Sequence, residues 1–550
     1  MGRHRTILGL GGSDHDVNAC LVRGDRIVAN IEEERLTRRK YGLGGNLLEA
    51  QARRYCLEAA GLALDDVDVV AADSILAPPA LLGCRSRATR LDHHLLHAAT
   101  AFFTGPFERA AILVVDNAGD LVPGHDEPQL QATSWFLGEG RRIEPLGAVN
   151  STRFVEGPPV AGRPYQRGDG DHSLGHFYKK VTGHLGFRFP SGASLRDYFF
   201  PEDGITMGLA SYGDARHVEA LWRLVELQPD GRYRLVLNDG RLDGLLAGWL
   251  AEADFEARAA VACAAQEVLT RLLCHLVDHV VRVTGERRLC LAGGVAMNSA
   301  ANGEILRRTG VTQLHVPPAP GDNGTGLGAA LLVAAGQDEP LPRFTVYGGR
   351  RYDGAEIEAA LAGTACRVRP LGQDAPAELA QRLAAGQILA WFEGGSENGR
   401  RALGHRSLLA DPRRAATRDH INANVKTRQF FRPFAPVVPQ ECAAAQFELD
   451  QPSPYMQIVA PVRAERRERL GAVTHVDGSA RLQTVTPEQH GRWHALLHAF
   501  ADVTGVPVLL NTSFNGRGEP IVETPSEAVA AFGRLGVDAL VLEDRLVERA

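Results

Sequence analysis

The 550-residue chain reads as an α/β protein: a two-lobed N-terminal unit with a cleft, followed by a second α/β unit. Three observations predict this. LCLAGGVAMNSAANGEIL at 289–306 and PPAPGDNGTGLGAALL at 317–332 each run from an apolar segment through a Gly-rich turn into a helical pattern. Two such units separated by crossovers point to a duplicated fold whose ligand lies at strand carboxyl ends. A polar Pro/Gly stretch at 335–350 then marks a boundary before a second set of helices and strands.

In chain order, residues 6–12, 19–22 and 26–31 read as strands around the polar turn Ser13-Asp14-His15-Asp16. The charged run EEERLTRRKYG, 32–42, reads as a solvated loop or helix start in preference to a polar clamp at a cleft mouth. Residues 49–62 fit an amphipathic helix and 67–72 a strand. LDHHLLHAATAFF, 91–103, has helical apolar periodicity and three histidines; His93 and His97, four apart, share one face, which suits two ligands of one metal. AAILVVDNAGD follows, a buried strand ending in Asp116, well placed as a third ligand. Residues 150–205 look like an insertion folded over the site, and 255–284 like a long core helix. We expect Asp14, His15, Asp16 and Asp116 from one lobe, and Gly293, Gly294, Asn298 and Asp322 from the other. The GlyGly turn before a helix favours an anion or nucleotide contact. GITMGLASYGD, 204–214, has glycines that admit a ligand or tight packing.

Past the boundary, Arg400, Arg401, Arg406, Lys426, Arg428, Arg432 and Arg481 abut apolar strands, with Asn511, Ser513 and Asn515 in turns. Arg forks match phosphate oxygens, and several buried cations together imply an anionic ligand. Net charge is −6, which does not favour nucleic acid as a partner, and no apolar run suggests a membrane span. Eight scattered cysteines without a CxxC pair fit a reducing, cytoplasmic compartment and exclude a zinc ribbon.

Taken together, SDHD, EEERLTRRK, DHHLLHAATAFF, VVDNAGD, MGLASYGD, GGVAMNSAANGEIL, PPAPGDNG, GRRALGHRS, FFRPFAP, HVDGSARLQT and NTSFNGRGEPIVETP resemble, in order and over almost the whole chain, the NodU/CmcH family of O-carbamoyltransferases. Two positions depart from the family pattern: Arg400 stands where proline is common, and HDVN at 15–18 where HDAS is common. The resemblance implies a Kae1-like domain of the actin/hexokinase (ASKHA) superfamily at 1–345 and a YrdC-like domain at 346–550. It implies that the C-terminal domain makes carbamoyl-adenylate from carbamoyl phosphate and ATP with Mg²⁺. The N-terminal domain would then transfer the carbamoyl group to a hydroxyl with the help of Fe(II) or another divalent metal. The implied metal ligands are His93, His97, Asp116 and Asp322. The implied carbamoyl phosphate and ATP contacts are Arg401, Lys426, Arg432, Arg481, Ser513 and Asn515, and the implied adenylate contacts of the N-terminal domain are Gly293, Gly294, Asn298 and Asn323. An acceptor hydroxyl needs a base or a metal, and His15 and Asp214 are the catalytic candidates. The implied partner is a small-molecule acceptor, an antibiotic or its sugar, with a homodimer as a possible assembly. Threonylcarbamoyl transfer to tRNA and a non-enzymatic ASKHA nucleotide-binding protein are the alternatives; the acidic balance and the fusion of two domains count against the first, and the second leaves the His/Asp set and the basic cluster unexplained.

Overall fold

In the computed structural model, residues 5–42, 49–123, 129–152, 154–156, 166–168, 170–187, 202–237, 239–338 and 340–550 are described. Of the insertion expected at 150–205, residues 153, 157–165, 169 and 188–201 lie outside them.

The first sheet has the strand order Arg26–Glu32, Asn18–Arg23, Thr6–Gly11, Val69–Asp73, Ala88–Leu91. Its first three strands form an antiparallel meander, and the last two run parallel to Thr6–Gly11. The second sheet repeats this plan: Arg142–Thr152, Gln129–Glu139, Arg109–Val115, Arg288–Ala292, Gln313–His315, again antiparallel, antiparallel, parallel, parallel. The duplication expected from sequence is therefore present as two sheets of one topology, the pattern of an actin/hexokinase-type fold. The assignment of residues to lobes needs correction. Asp116 ends the central strand of the second sheet, beside Gly293, and Asp322 opens the helix Thr325–Ala335, which packs on the first sheet.

Two buried helices fill the space between the sheets, His93–Phe103 and Thr325–Ala335. Both are apolar on nearly all sides, as a helix packed all round must be. Glycine permits the close approach. A Cβ on Gly9 would lie 2.0 Å from the Gly326 carbonyl, and one on Gly328 would lie 2.2 Å from the Leu96 carbonyl.

The helix Leu174–His184 buries Leu174, Phe177 and Val181 in the core of the second lobe, so this part of the expected insertion is scaffold. The helix Phe255–Thr284 is long and apolar enough to cross a membrane, but 67% of its apolar window is buried against the same core. All eight cysteines are free thiols.

Downstream, an eight-stranded mixed sheet carries the third core, in the order Cys366–Pro370, Arg545–Arg549, Ala539–Leu542, Leu389–Phe392, Arg406–Ala410, Leu509–Ser513, Ala435–Pro439, Gln483–Val485. This unit is locked onto the N-terminal lobes. Asn302 Nδ2 donates to the Gln457 carbonyl at 2.8 Å, and Tyr55 Oη donates to Glu523 Oε1 at 2.7 Å.

The run 32–42 is where the solvated reading fails. Glu32, Glu33 and Arg35 are at most 3% exposed. Arg35 bonds Glu32 at 3.4 Å and donates to the carbonyls of Glu397 and Gly399 at 2.9 and 2.8 Å. Arg38 reaches the carbonyls of Pro520 and Ile521. Charges that looked like surface are the polar seam between the two halves.

Removing one partner of a buried pair leaves the other charge uncompensated, so Arg35→Ala should destabilise the protein by about 3–5 kcal/mol in denaturant unfolding. A change below about 1 kcal/mol would mean that the seam does not hold the halves together.

Candidate metal and anion sites in one cavity

The helix His93–Phe103 is started by Asp92, whose carboxylate accepts from Leu95 N at 2.8 Å. Its first turn brings His93 Nε2 and His97 Nε2 to 3.2 Å from each other. Asp116 Oδ2 is 3.5 Å from His93 Nε2, and Asp322 Oδ1 is 3.7 and 3.6 Å from the two imidazoles. The four ligand atoms lie within 4.8 Å of one another. Two nitrogens and two carboxylate oxygens converging in this way fit a borderline divalent metal. The surroundings fit as well. His93 Nδ1 bonds Asp73 Oδ2 at 2.8 Å with both side chains fully buried, which sets the ring so that Nε2 faces the cluster. Asp116 Oδ1 accepts from Gly294 N at 2.7 Å. The anion that the GlyGly turn meets is thus a protein carboxylate.

Burial opposes charge on His93, but Asp73, Asp116 and Asp322 hold its pKa well above the usual histidine range. Burial likewise opposes the charged Asp116, yet the neighbouring imidazoles hold its carboxyl far below the usual range. In each case opposite charge outweighs desolvation. His94 differs: its Nδ1 bonds Ser134 Oγ at 2.7 Å, and burial keeps the ring neutral, its pKa well below normal.

A cavity of about 970 Å³ opens over this cluster and runs on to the C-terminal unit. Asp116, Asp322, Gly294, Asn298 and Asn323 line one end. Arg401, Lys426, Arg432, Arg481, Ser513 and Asn515 line the other, with Arg428 added to the expected set. His93 and His97 stand behind the wall, and Gly293 (φ 87°) shapes the turn against the Val115 carbonyl without lining the cavity. Asn298 caps the helix Ser299–Arg308, and Asn323 donates to Glu32 Oε1 at 3.0 Å.

At the basic end, Lys426 follows a π-helical turn, Ile421–Val425, a form frequent at functional sites. Its Nζ donates to the Asn515 carbonyl at 2.9 Å, to Asn515 Oδ1 at 2.7 Å and to the Ser513 carbonyl, tying it to the end of the strand Leu509–Ser513. Burial, reinforced by neighbouring cations, drives the pKa values of Lys426, Arg401 and Arg428 well below normal and Arg481 to about 10. Arg481 Nε is buried without a partner. Cations that repel one another around open space form a site for a polyanion.

Between the ends, Arg400 Nη2 bonds both carboxylate oxygens of Asp16 at 2.5 and 2.6 Å and lies over the Tyr41 ring at 4.2 Å. His15 Nδ1 is 3.0 Å from Asp16 Oδ2. Burial works against the imidazolium, but Asp16, with Asp322 and Asp14, pushes the His15 pKa up to about 9. Asp214 has to be withdrawn as a catalytic residue. The helix Asp203–Ala210 meets the cavity only through its first turns, and Asp214 emerges beyond it, 54% exposed and paired with Arg216. Asp73, Glu32 and Arg35 were missed by sequence reasoning. Only Asp73 carried a readable signal, a carboxylate ending a buried strand as Asp116 does.

The fold and site define a two-lobed α/β enzyme with a metal-type donor set facing an anion site. The sequence comparisons narrow the class. Residues 84–331 match the carbamoyltransferase N-terminus model and 380–549 the carbamoyltransferase C-terminus model. The nodulation protein NolNO of Sinorhizobium fredii is 36% identical over 97% of this chain and 79% of its own length. The 3'-hydroxymethylcephem-O-carbamoyltransferase of Amycolatopsis lactamdurans is 34% identical over 82% of this chain and 81% of its own. The chain belongs to the carbamoyltransferase family and is a transferase enzyme.

Because Asp73 orients His93, Asp73→Asn should weaken divalent-metal affinity about 10–100-fold in a chelator competition assay. Asp214→Ala should leave that affinity unchanged.

Proposed function

We propose that the protein is an ATP-dependent O-carbamoyltransferase that makes carbamoyl-adenylate at the basic end of the cavity and delivers the carbamoyl group to an acceptor hydroxyl at the His/Asp end. One observation carries the reading: the carboxylates of the His/Asp cluster and the cations of the basic cluster line a single cavity. Carbamate is short-lived in water, so a two-step reaction through it needs an enclosed path.

In the first step, water cleaves carbamoyl phosphate to carbamate and phosphate, its oxygen forming the new bond as the bond between the carbamoyl and phosphoryl groups breaks. A carbamate oxygen attacks the α-phosphorus of ATP, the bond to the bridging oxygen breaks, and pyrophosphate leaves. Carbamate and triphosphate repel each other, and Arg401, Arg428, Arg432 and Arg481 offset that repulsion where it is strongest. Ser513 and Asn515, fixed by Lys426, present polar groups at the same wall. The mixed anhydride then needs only to move along the cavity.

In the second step, the acceptor oxygen attacks the carbamoyl carbon, and AMP departs with the bonding pair. His93, His97, Asp116 and Asp322 would hold a divalent metal, Fe(II) or another, which when bound supplies Lewis-acid polarisation of an oxygen. His15 lines the cavity, which supports it as the base that takes the hydroxyl proton. With its pKa near 9, about one His15 in a hundred is a free base at pH 7. The acceptor is a small hydroxylated metabolite, an antibiotic or its sugar, in keeping with the cephem-acting relative.

The transfer rate should therefore climb about tenfold per pH unit up to about pH 9, where His15 has shed its proton, and then level off. His15→Asn should remove that ionisation from the profile, and a profile indifferent to the substitution would assign the proton to another group.

The two-site scheme is tested without any acceptor. Protein incubated with ATP, carbamoyl phosphate and Mg²⁺ should release pyrophosphate and form carbamoyl-adenylate. His97→Ala should retain this reaction, and Arg432→Ala should lose it. ATP binding with neither product from the wild-type protein would sink the scheme.

A further inference from the structure

A second cluster of metal-type donors lies outside the cavity, in the C-terminal unit. His494 and His498 stand four apart on the helix Pro487–Thr504, so their rings share one face one turn apart. The ring centroids are 4.6 Å from each other. Opposite them, Glu441 belongs to the 3₁₀ turn Gln440–Ala445, which follows the strand Ala435–Pro439. Both imidazoles aim Nε2 at the same carboxylate oxygen, His494 at 2.7 Å and His498 at 2.9 Å from Glu441 Oε1. The three donors lie within 4.8 Å of one another, and none lines the cavity already described.

We propose that Glu441, His494 and His498 form a second metal site, for a borderline divalent ion of the Zn²⁺ class, that clamps the helix Pro487–Thr504 to the turn Gln440–Ala445. Imidazole donors select transition ions over Mg²⁺ and Ca²⁺, which prefer oxygen shells. Ligation needs a tautomer change and a slight opening of the three side chains to admit the ion: each ring carries its proton on Nδ1 and offers the Nε2 lone pair, while the carboxylate supplies an oxygen and a negative charge. Partial burial works against ionised Glu441, but its own backbone N–H and the two imidazoles hold its carboxyl below the usual range. Three protein ligands leave a coordination position for water. Side-chain exposures of 18% for His494, 45% for His498 and 52% for Glu441 give an ion direct access.

The clamp has a structural target. One turn earlier on the same helix, His490 Nε2 is 3.3 Å from the Gly404 carbonyl and its ring is 5.0 Å from that of His405. Gly404 and His405 continue the loop that carries Arg400 and Arg401. A metal at the next two turns would hold in place the helix that backs this loop. The inference does not rest on carbamoyl transfer; it uses only the donor geometry.

The test uses the full chain, stripped of metal with a chelator and titrated with Zn²⁺. Wild-type protein should bind two equivalents. His494→Ala/His498→Ala should keep one and weaken the other at least tenfold, and Glu441→Gln should weaken the same equivalent. In a His97→Ala background, which removes a ligand of the first site, Co²⁺ should give the visible ligand-field band of an imidazole-bound ion, lost when His494 is also replaced by alanine. All three donors of the second site are partly or well exposed, so loss of folding does not confuse the result. If the double variant binds Zn²⁺ with the stoichiometry and affinity of the wild type, there is no site here.

Discussion

Everything functional in this molecule hangs on one buried carboxylate. Glu32 Oε1 accepts from Gly399 N at 2.6 Å and from Asn323 Nδ2 at 3.0 Å, and Arg35 closes on its other oxygen. Asn323 adjoins Asp322, a member of the His/Asp cluster, and Gly399 adjoins Arg400 and Arg401 of the basic wall. A single side chain therefore sets the spacing between the two ends of the cavity. Desolvation raises the Glu32 pKa, which means that the pair is retained against an electrostatic cost. Its value lies in register: a hydrophobic replacement would pack, but it would bond neither loop.

The same electrostatics explain why the sites differ in state. At the His/Asp end opposite charges surround one another, and each stabilises the next. At the basic end like charges are gathered with few protein anions, and burial makes that worse. The first arrangement neutralises itself with donors that fit a metal; the second carries uncompensated positive charge that suits an anion. Residues of both line one cavity, the observation on which the proposed two-step scheme rests.

Arg400 lines that cavity between the two clusters. Proline is common there in the family it resembles, and proline could neither reach Asp16 nor stack on Tyr41 as Arg400 does. Through Asp16 it is one contact removed from His15. Against desolvation, the side chain of a C-terminal loop thus helps hold the Asp16 carboxyl below its usual range, and the halves of this protein share electrostatics as well as an interface.

Sequence by itself determined the α/β class, the duplicated lobes, the metal-type pair on the His93–Phe103 helix and the cations of the C-terminal unit. Each is a local pattern: an apolar period, a spacing of four, a Gly turn, an arginine beside a strand. Those patterns survive because helix and strand geometry translate spacing into facing over a few residues. Tertiary structure alone decided which patterns meet. The charge run at 32–42 is indistinguishable from a solvated helix until Glu397 and Gly399, more than 360 residues away, bury it. Asp214 and Asp203 belong to neighbouring segments, yet only the helix between them settles that one lines the cavity and the other faces water. Asp116 changed lobe because strand order, not chain order, fixes neighbours. Burial and long-range pairing set the charge and the partner of a side chain, and neither quantity exists until the chain has closed on itself.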